Sequence, residues 1–232
     1  MIAGIDGCKG GWFVTKSESW PCREAPLLAI CANIVSALEF VGDSRMVVID
    51  IPIGIPSGAK VRDCDLEARE MLDQGSTRVF MAPPRETLTA KTADEFQELH
   101  LLHRGKKAGY PVWGFLSKLK EVDRVITADL QTRIREFHPE LAWGRAAGKL
   151  LESKHDTTGL SQRLEILRSS ACGLEDVLGW KKKVGKAAAI DDFLDALIGL
   201  SVAADALKGK TFRVPHQSTE SDARGLSMEI WY

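Results

Sequence analysis

No two of the five cysteines in this 232-residue chain form a C-x-x-C pair; Cys8, Cys22, Cys31, Cys64 and Cys172 are odd in number and scattered. That fits neither a disulfide framework nor a cysteine zinc site, and leaves reduced, mostly buried thiols. Net charge is also scarce, at −1. A near-neutral chain exerts no global pull on polyanions or acidic membranes, so any affinity for nucleic acid has to come from a local basic face. No apolar run approaches membrane-spanning length, and there is neither an internal repeat nor a low-complexity segment. The N-terminal apolar stretch is interrupted at Asp6 and has no basic leader, which predicts no signal peptide and a cytoplasmic protein.

What is present is the composition of an ordinary globular chain, 44% hydrophobic and 27% charged, read here as a single domain over residues 1–232 with one insertion. The most informative residue is Asp6. It ends the apolar run Ile2-Ala3-Gly4-Ile5 and precedes the glycine-rich turn Gly7-Cys8-Lys9-Gly10-Gly11, the pattern of a buried strand delivering an acid at its tip. The run Met46-Val47-Val48-Ile49 likewise ends in Asp50 and then in chain breakers. A third group of acids, Asp191, Asp192 and Asp195, lies in an alanine-rich helical stretch near the C-terminus.

Between these points the chain reads as a meander of strands at Ile2–Ile5, Trp12–Lys16 and Leu27–Cys31. A short helix capped by Asn33 follows, and the strand ending at Asp50 is expected to return parallel to the first. From about residue 57 to 130 the texture turns helical and charge-rich, with candidate helices at Arg62–Leu72, Thr92–Lys107 and Val112–Val125. Arg133–His138 alternates as a strand would and stops at Pro139; Leu160–Leu167 and Leu174–Trp180 read as short helices, and Ala187–Leu207 as the longest one. At about 100° per residue, Ile190, Phe193, Leu194, Leu197, Ile198 and Ser201 share a bulky face of that helix. Asp192, Asp195, Gly199 and Ala203 lie opposite, where small residues permit close approach to other backbone. The plain alternative is that Asp191, Asp192 and Asp195 favour the helix N-terminal half and face water.

The order of elements resembles the ribonuclease H-like fold, and more closely the DUF429 family of predicted ribonuclease H-like nucleases, nearly end to end. The residues that carry the resemblance are Gly4 through Trp12, Ile49-Asp50-Ile51-Pro52-Ile53-Gly54-Ile55-Pro56, then Arg62, Asp65, Ala68 and Arg69. They continue in Val79-Phe80-Met81-Ala82-Pro83-Pro84-Arg85, Glu136-Phe137-His138-Pro139-Glu140-Leu141, Asp191-Asp192-Phe193-Leu194-Asp195-Ala196 and Gly225-Leu226-Ser227-Met228-Glu229-Ile230. The resemblance implies an α/β fold with a mixed five-stranded sheet of order 3-2-1-4-5, flanked by helices, and a helical insertion after the fourth strand.

It also implies two-metal phosphodiester hydrolysis, with carboxylates holding two Mg²⁺ or Mn²⁺ ions about 3.5–4 Å apart. Asp6 is the expected bridging ligand and Asp50 and Asp192 the flanking ones, with Asp195 as the alternate on the helix. Either Glu136 or Glu140 completes the catalytic set: strand alternation favours Glu136, the His-Pro-Glu motif favours Glu140, and either can instead pair with Arg135 or Arg145. Lys9, Arg62, Arg69, Arg78 and Arg85 are the candidates for binding a nucleic-acid substrate, since a guanidinium fork suits phosphate. Pairing of Arg62 and Arg69 with Asp65, Glu67 or Asp73 is the competing reading. Trp113 and Trp143 suit either base stacking or core packing, Lys181-Lys182-Lys183 with Lys186 a basic rim, and His138 and His155 lack partners at ligand spacing. Two other functions stay open: an ATP-dependent phosphotransferase of the actin-like fold, whose second phosphate-binding strand and adenosine motif are not evident, and a catalytically silent binding module.

Overall fold

In the computed structural model, residues 1–168, 170, 179, 184–217 and 219–232 are described. The expected helix at Leu174–Trp180 and the lysine run at 181–183 lie outside the described residues, apart from position 179. Among the described residues no helix is long and apolar enough to cross a membrane.

The chain divides into two compact units. The first, Met1–Asp50 with Arg133–Phe212 and Trp231–Tyr232, holds a five-stranded sheet of order β3-β2-β1-β4-β5. Its strands are β1 (Ile2–Cys8), β2 (Gly11–Ser17), β3 (Leu27–Cys31), β4 (Met46–Ile49) and β5 (Ile134–Glu136). β1, β2 and β3 run antiparallel, whereas β4 and β5 are parallel to β1. This is the ribonuclease H-like order. β1 and β4 are buried along nearly their whole length, which is why both read as continuous apolar runs.

Helix α1 (Ile34–Val41) lies against β2 and β3 and opens with a capping box in which Asn33 Oδ1 accepts from the Ser36 amide at 3.0 Å. The helices of the second unit, Ile51–Thr132 with Arg213–Ile230, are α2 (Asp63–Leu72), α3 (Ala93–Arg104) and α4 (Tyr110–Val125). Back in the first unit, α5 (Pro139–Ala147), α6 (Thr157–Arg168) and α7 (Ile190–Leu207) complete the fold. α5 departs from the sequence expectation. Pro139 starts this helix as well as following the strand, because a proline at the first helical position gives up only an amide that would be unbonded anyway.

α7 packs across β1, β2 and β4, and its small residues set how close it comes. The Gly4 strand position faces Ala196 O so tightly that a Cβ there would overlap it, and Thr15 Oγ1 donates to the same carbonyl at 3.0 Å. A Cβ on Gly199 would stand 3.0 Å from both Phe137 and Val48 and 3.3 Å from Gly4 Cα. The helix is therefore seated on the sheet backbone itself. From Phe193 to Leu200 every residue of it is buried, including Asp195.

Candidate functional site

Asp6 and Asp50 owe their proximity to strand register. Ile5 pairs with Ile49 in the parallel β1–β4 ladder, and the Asp50 amide donates to Ile5 O at 2.9 Å, so the next residue on each strand is an aspartate at the same level. Gly4, two residues before Asp6, faces α7, and alternation turns Asp6 to the same side. Asp195 approaches from that helix, one residue before the carbonyl that sits over Gly4.

The electrostatics record this convergence. Asp6 is only 7% exposed. Burial raises its carboxyl well above the usual range, with Asp50, Asp195 and Asp192 adding repulsion against the relief given by Lys154. Asp50 is pushed up to about 8 by burial and then by Asp195, with Glu136 and Glu140 contributing and Lys154 opposing. Among the described residues neither carboxyl makes a side-chain hydrogen bond or ion pair.

The two helix candidates differ. Asp195, 1% exposed, accepts from Trp143 Nε1 at 2.8 Å through Oδ1 and from Lys154 Nζ at 2.6 Å through Oδ2. Asp192 bends back to accept the Ala189 amide at 2.7 Å, capping its own helix. Burial pushes Asp192 up to about 6 despite that amide.

Glu136 and Glu140 are both buried. Glu136 aligns with Ile49, and since the following Phe137 faces α7, the pleat turns Glu136 away from that helix. Glu140, in the first turn of α5, is held by the fully buried Arg163 at 2.6 Å.

Three of the expected phosphate-binding arginines are engaged by partners within the second unit. Arg62 is buried and forms a fork with Asp65, which also accepts the Ala82 amide. Arg69 donates to Val79 O, and Arg85 spans Asp123 and Asp222. Arg78 is half-buried and Lys9 is exposed at the β1–β2 turn. Trp143 is core, with no exposed surface, and His155 is exposed.

Lys154 and Arg163 were not legible as site residues. Lys154 lies in the polar segment Glu152-Ser153-Lys154-His155-Asp156, which carries no local signal, and only the tertiary fold brings its ammonium to Asp195 and Asp191. Burial works against that charge, but Asp195 and Asp6 raise it above the ordinary lysine range.

Hard carboxylate oxygens suit Mg²⁺ or Mn²⁺. Asp6, Asp50 and Asp195 fit such an ion in chemistry, and among the described residues Asp6 and Asp50 have no bonded counter-ion. As the side chains stand, no three His, Cys, Asp or Glu groups among the described residues close on one point able to hold a metal.

Sheet order and flanking helices together define a ribonuclease H-like α/β protein. The profile of DUF429, a family described as proteins of unknown function, matches residues 4–220, and the chain belongs to that family. No curated protein and no solved structure matches it.

Proposed function

We propose that this protein is a divalent-metal-dependent nuclease that hydrolyses phosphodiester bonds. The observation that supports the reading most is the pair of strand-end carboxylates, Asp6 and Asp50, which lie side by side, have no bonded partner among the described residues, and are both raised in pKa by burial and by neighbouring acids. Such charge is costly in a protein interior unless a cation neutralises it.

Asp6, Asp50 and Asp195 would hold the metal, with Asp192 beside them. Bound there, Mg²⁺ or Mn²⁺ supplies charge at the scissile phosphate and makes water acidic enough to attack. The chain's own contribution is placement. Asp6 and Asp50 come from rigid parallel strands, Asp195 is fixed by the Trp143 indole, and Glu140 is fixed by Arg163. Lys9, exposed three residues past Asp6, is suited to a phosphate of the nucleic-acid backbone.

The test is a panel of labelled single-stranded, duplex, hybrid and branched DNA and RNA with millimolar Mn²⁺. Cleavage should occur with the wild type and fall by roughly 100-fold or more in Asp6→Asn. Mn²⁺ should also raise the melting temperature of the wild type and not of Asp6→Asn, since only a folded site binds it. Saturable ATP binding without cleavage would favour the phosphotransferase; nucleic-acid binding without cleavage, the silent module.

A further inference from the structure

We propose that Lys154 is the resident counter-ion of this acidic site, and that a divalent cation enters by displacing its ammonium; the proposal rests on the metal-dependent reading above. Among the described residues one ammonium acts on five aspartates. Lys154 Nζ lies 2.6 Å from Asp195 Oδ2 and 3.4 Å from Asp191 Oδ2. Its charge is also felt at Asp6, Asp50 and Asp192 without bonding to any of them. The direct ion pairs thus reach one edge of the cluster and leave the buried Asp6 carboxyl, on the α7 side of β1 and within the field of Asp195 and Lys154, with no bonded partner among the described residues.

A purely structural salt bridge would be expected to engage the acids it faces, and this one bonds only Asp195 and Asp191. The side chain is also built to leave. It remains 31% exposed while Asp195 is 1% exposed, and its four-carbon stem can swing outward with no change of backbone. The backbone around it is secured independently: Arg163 Nη1 donates to Glu152 O at 3.0 Å and Gly159 O at 2.9 Å, and Gln162 Oε1 accepts the Glu152 amide at 3.0 Å. An ammonium and a divalent ion repel each other at such short range, so the two compete for the Asp195 carboxylate.

Calorimetric titration with MnCl₂ of wild type, Lys154→Gln and Lys154→Arg tests this. Lys154→Gln should bind Mn²⁺ about tenfold or more tightly than the wild type, because the competitor is gone, while Lys154→Arg should bind no more tightly than the wild type. Displacement itself is read on the otherwise native chain after ¹³C reductive dimethylation of its lysines, which keeps their charge. The resonance that Lys154→Arg removes should move on Mg²⁺ addition toward that of a solvated lysine, and this arm decides the matter if Lys154→Gln does not fold. Equal or weaker Mn²⁺ affinity in Lys154→Gln, or a stationary Lys154 resonance while Mg²⁺ binds, overturns the proposal and leaves the metal reading intact. Absence of binding in both the wild type and Lys154→Gln overturns the metal reading and this proposal with it.

Discussion

Asp50→Asn should make the metal-free protein more stable and at the same time abolish metal-dependent cleavage. The half-buried carboxyl it removes is pushed up by desolvation and then by Asp195 to about 8, against an ordinary value of 3.8. Between those two values the folded chain binds more protons than the unfolded one, so stability falls as pH rises through that window, by up to about 1.4 kcal/mol per pH unit from this one group. The asparagine does not titrate. Its advantage should be smallest near the bottom of the window and grow steadily until pH passes the folded value. Melts in EDTA at about pH 5, 7 and 9 read this directly; a constant offset, or a wild type that is the more stable at high pH, would falsify the assignment of Asp50 as a half-buried acid crowded by its neighbours. Added Mn²⁺ should stabilise only the wild type.

The second large effect belongs to Gly4. In Gly4→Ala the new methyl group would overlap Ala196 O, a backbone atom that cannot rotate away, so α7 must lift from β1. Overpacking of this kind costs about 3 kcal/mol or more, which for a chain of this size lowers the melting temperature by roughly 6–12 °C. Because the displaced helix carries Asp195, Mn²⁺ stabilisation should be lost as well. Gly114→Ala is the matched control. That glycine is exposed in the middle of α4 with nothing within 4 Å of the added atom, so the change should stabilise, by about 1 kcal/mol. Similar melting temperatures for the two variants would rule out the close approach of helix and strand.

What could be read from the sequence was whatever is encoded locally. The runs Ile2–Ile5 and Met46–Ile49 announce buried strands, and the aspartate at the end of each needs only parallel register to become a pair. The small face of the last helix, with Gly199 upon it, also followed from periodicity and is the face that meets Gly4. Periodicity could not separate Asp192 from Asp195, three residues apart on one side, because what separates them is the turn of Asp192 back to the Ala189 amide. Pro139 was legible as a strand stop and not as the start of α5, since proline suits both positions. Arg62 and Arg85 look alike in sequence whether they face phosphate or carboxylate; the acids that claim them, Asp65, Asp123 and Asp222, become partners only on folding. Lys154 is the limiting case, a surface-type lysine in a polar segment that a long-range fold carries to a buried acid.

The hydrogen bond from Trp143 to Asp195 gives the protein its own optical gauge. The indole is wholly buried, tied at 2.8 Å to Asp195, which Lys154 also holds, and has the Arg163 guanidinium 5.8 Å from its ring centre. Its excited-state dipole therefore lies in the field of whatever charge Asp195 and its partner carry. Exchange of one counter-ion for another alters that field, so the emission difference between the wild type and Trp143→Phe should follow occupancy of the site in real time, without a label.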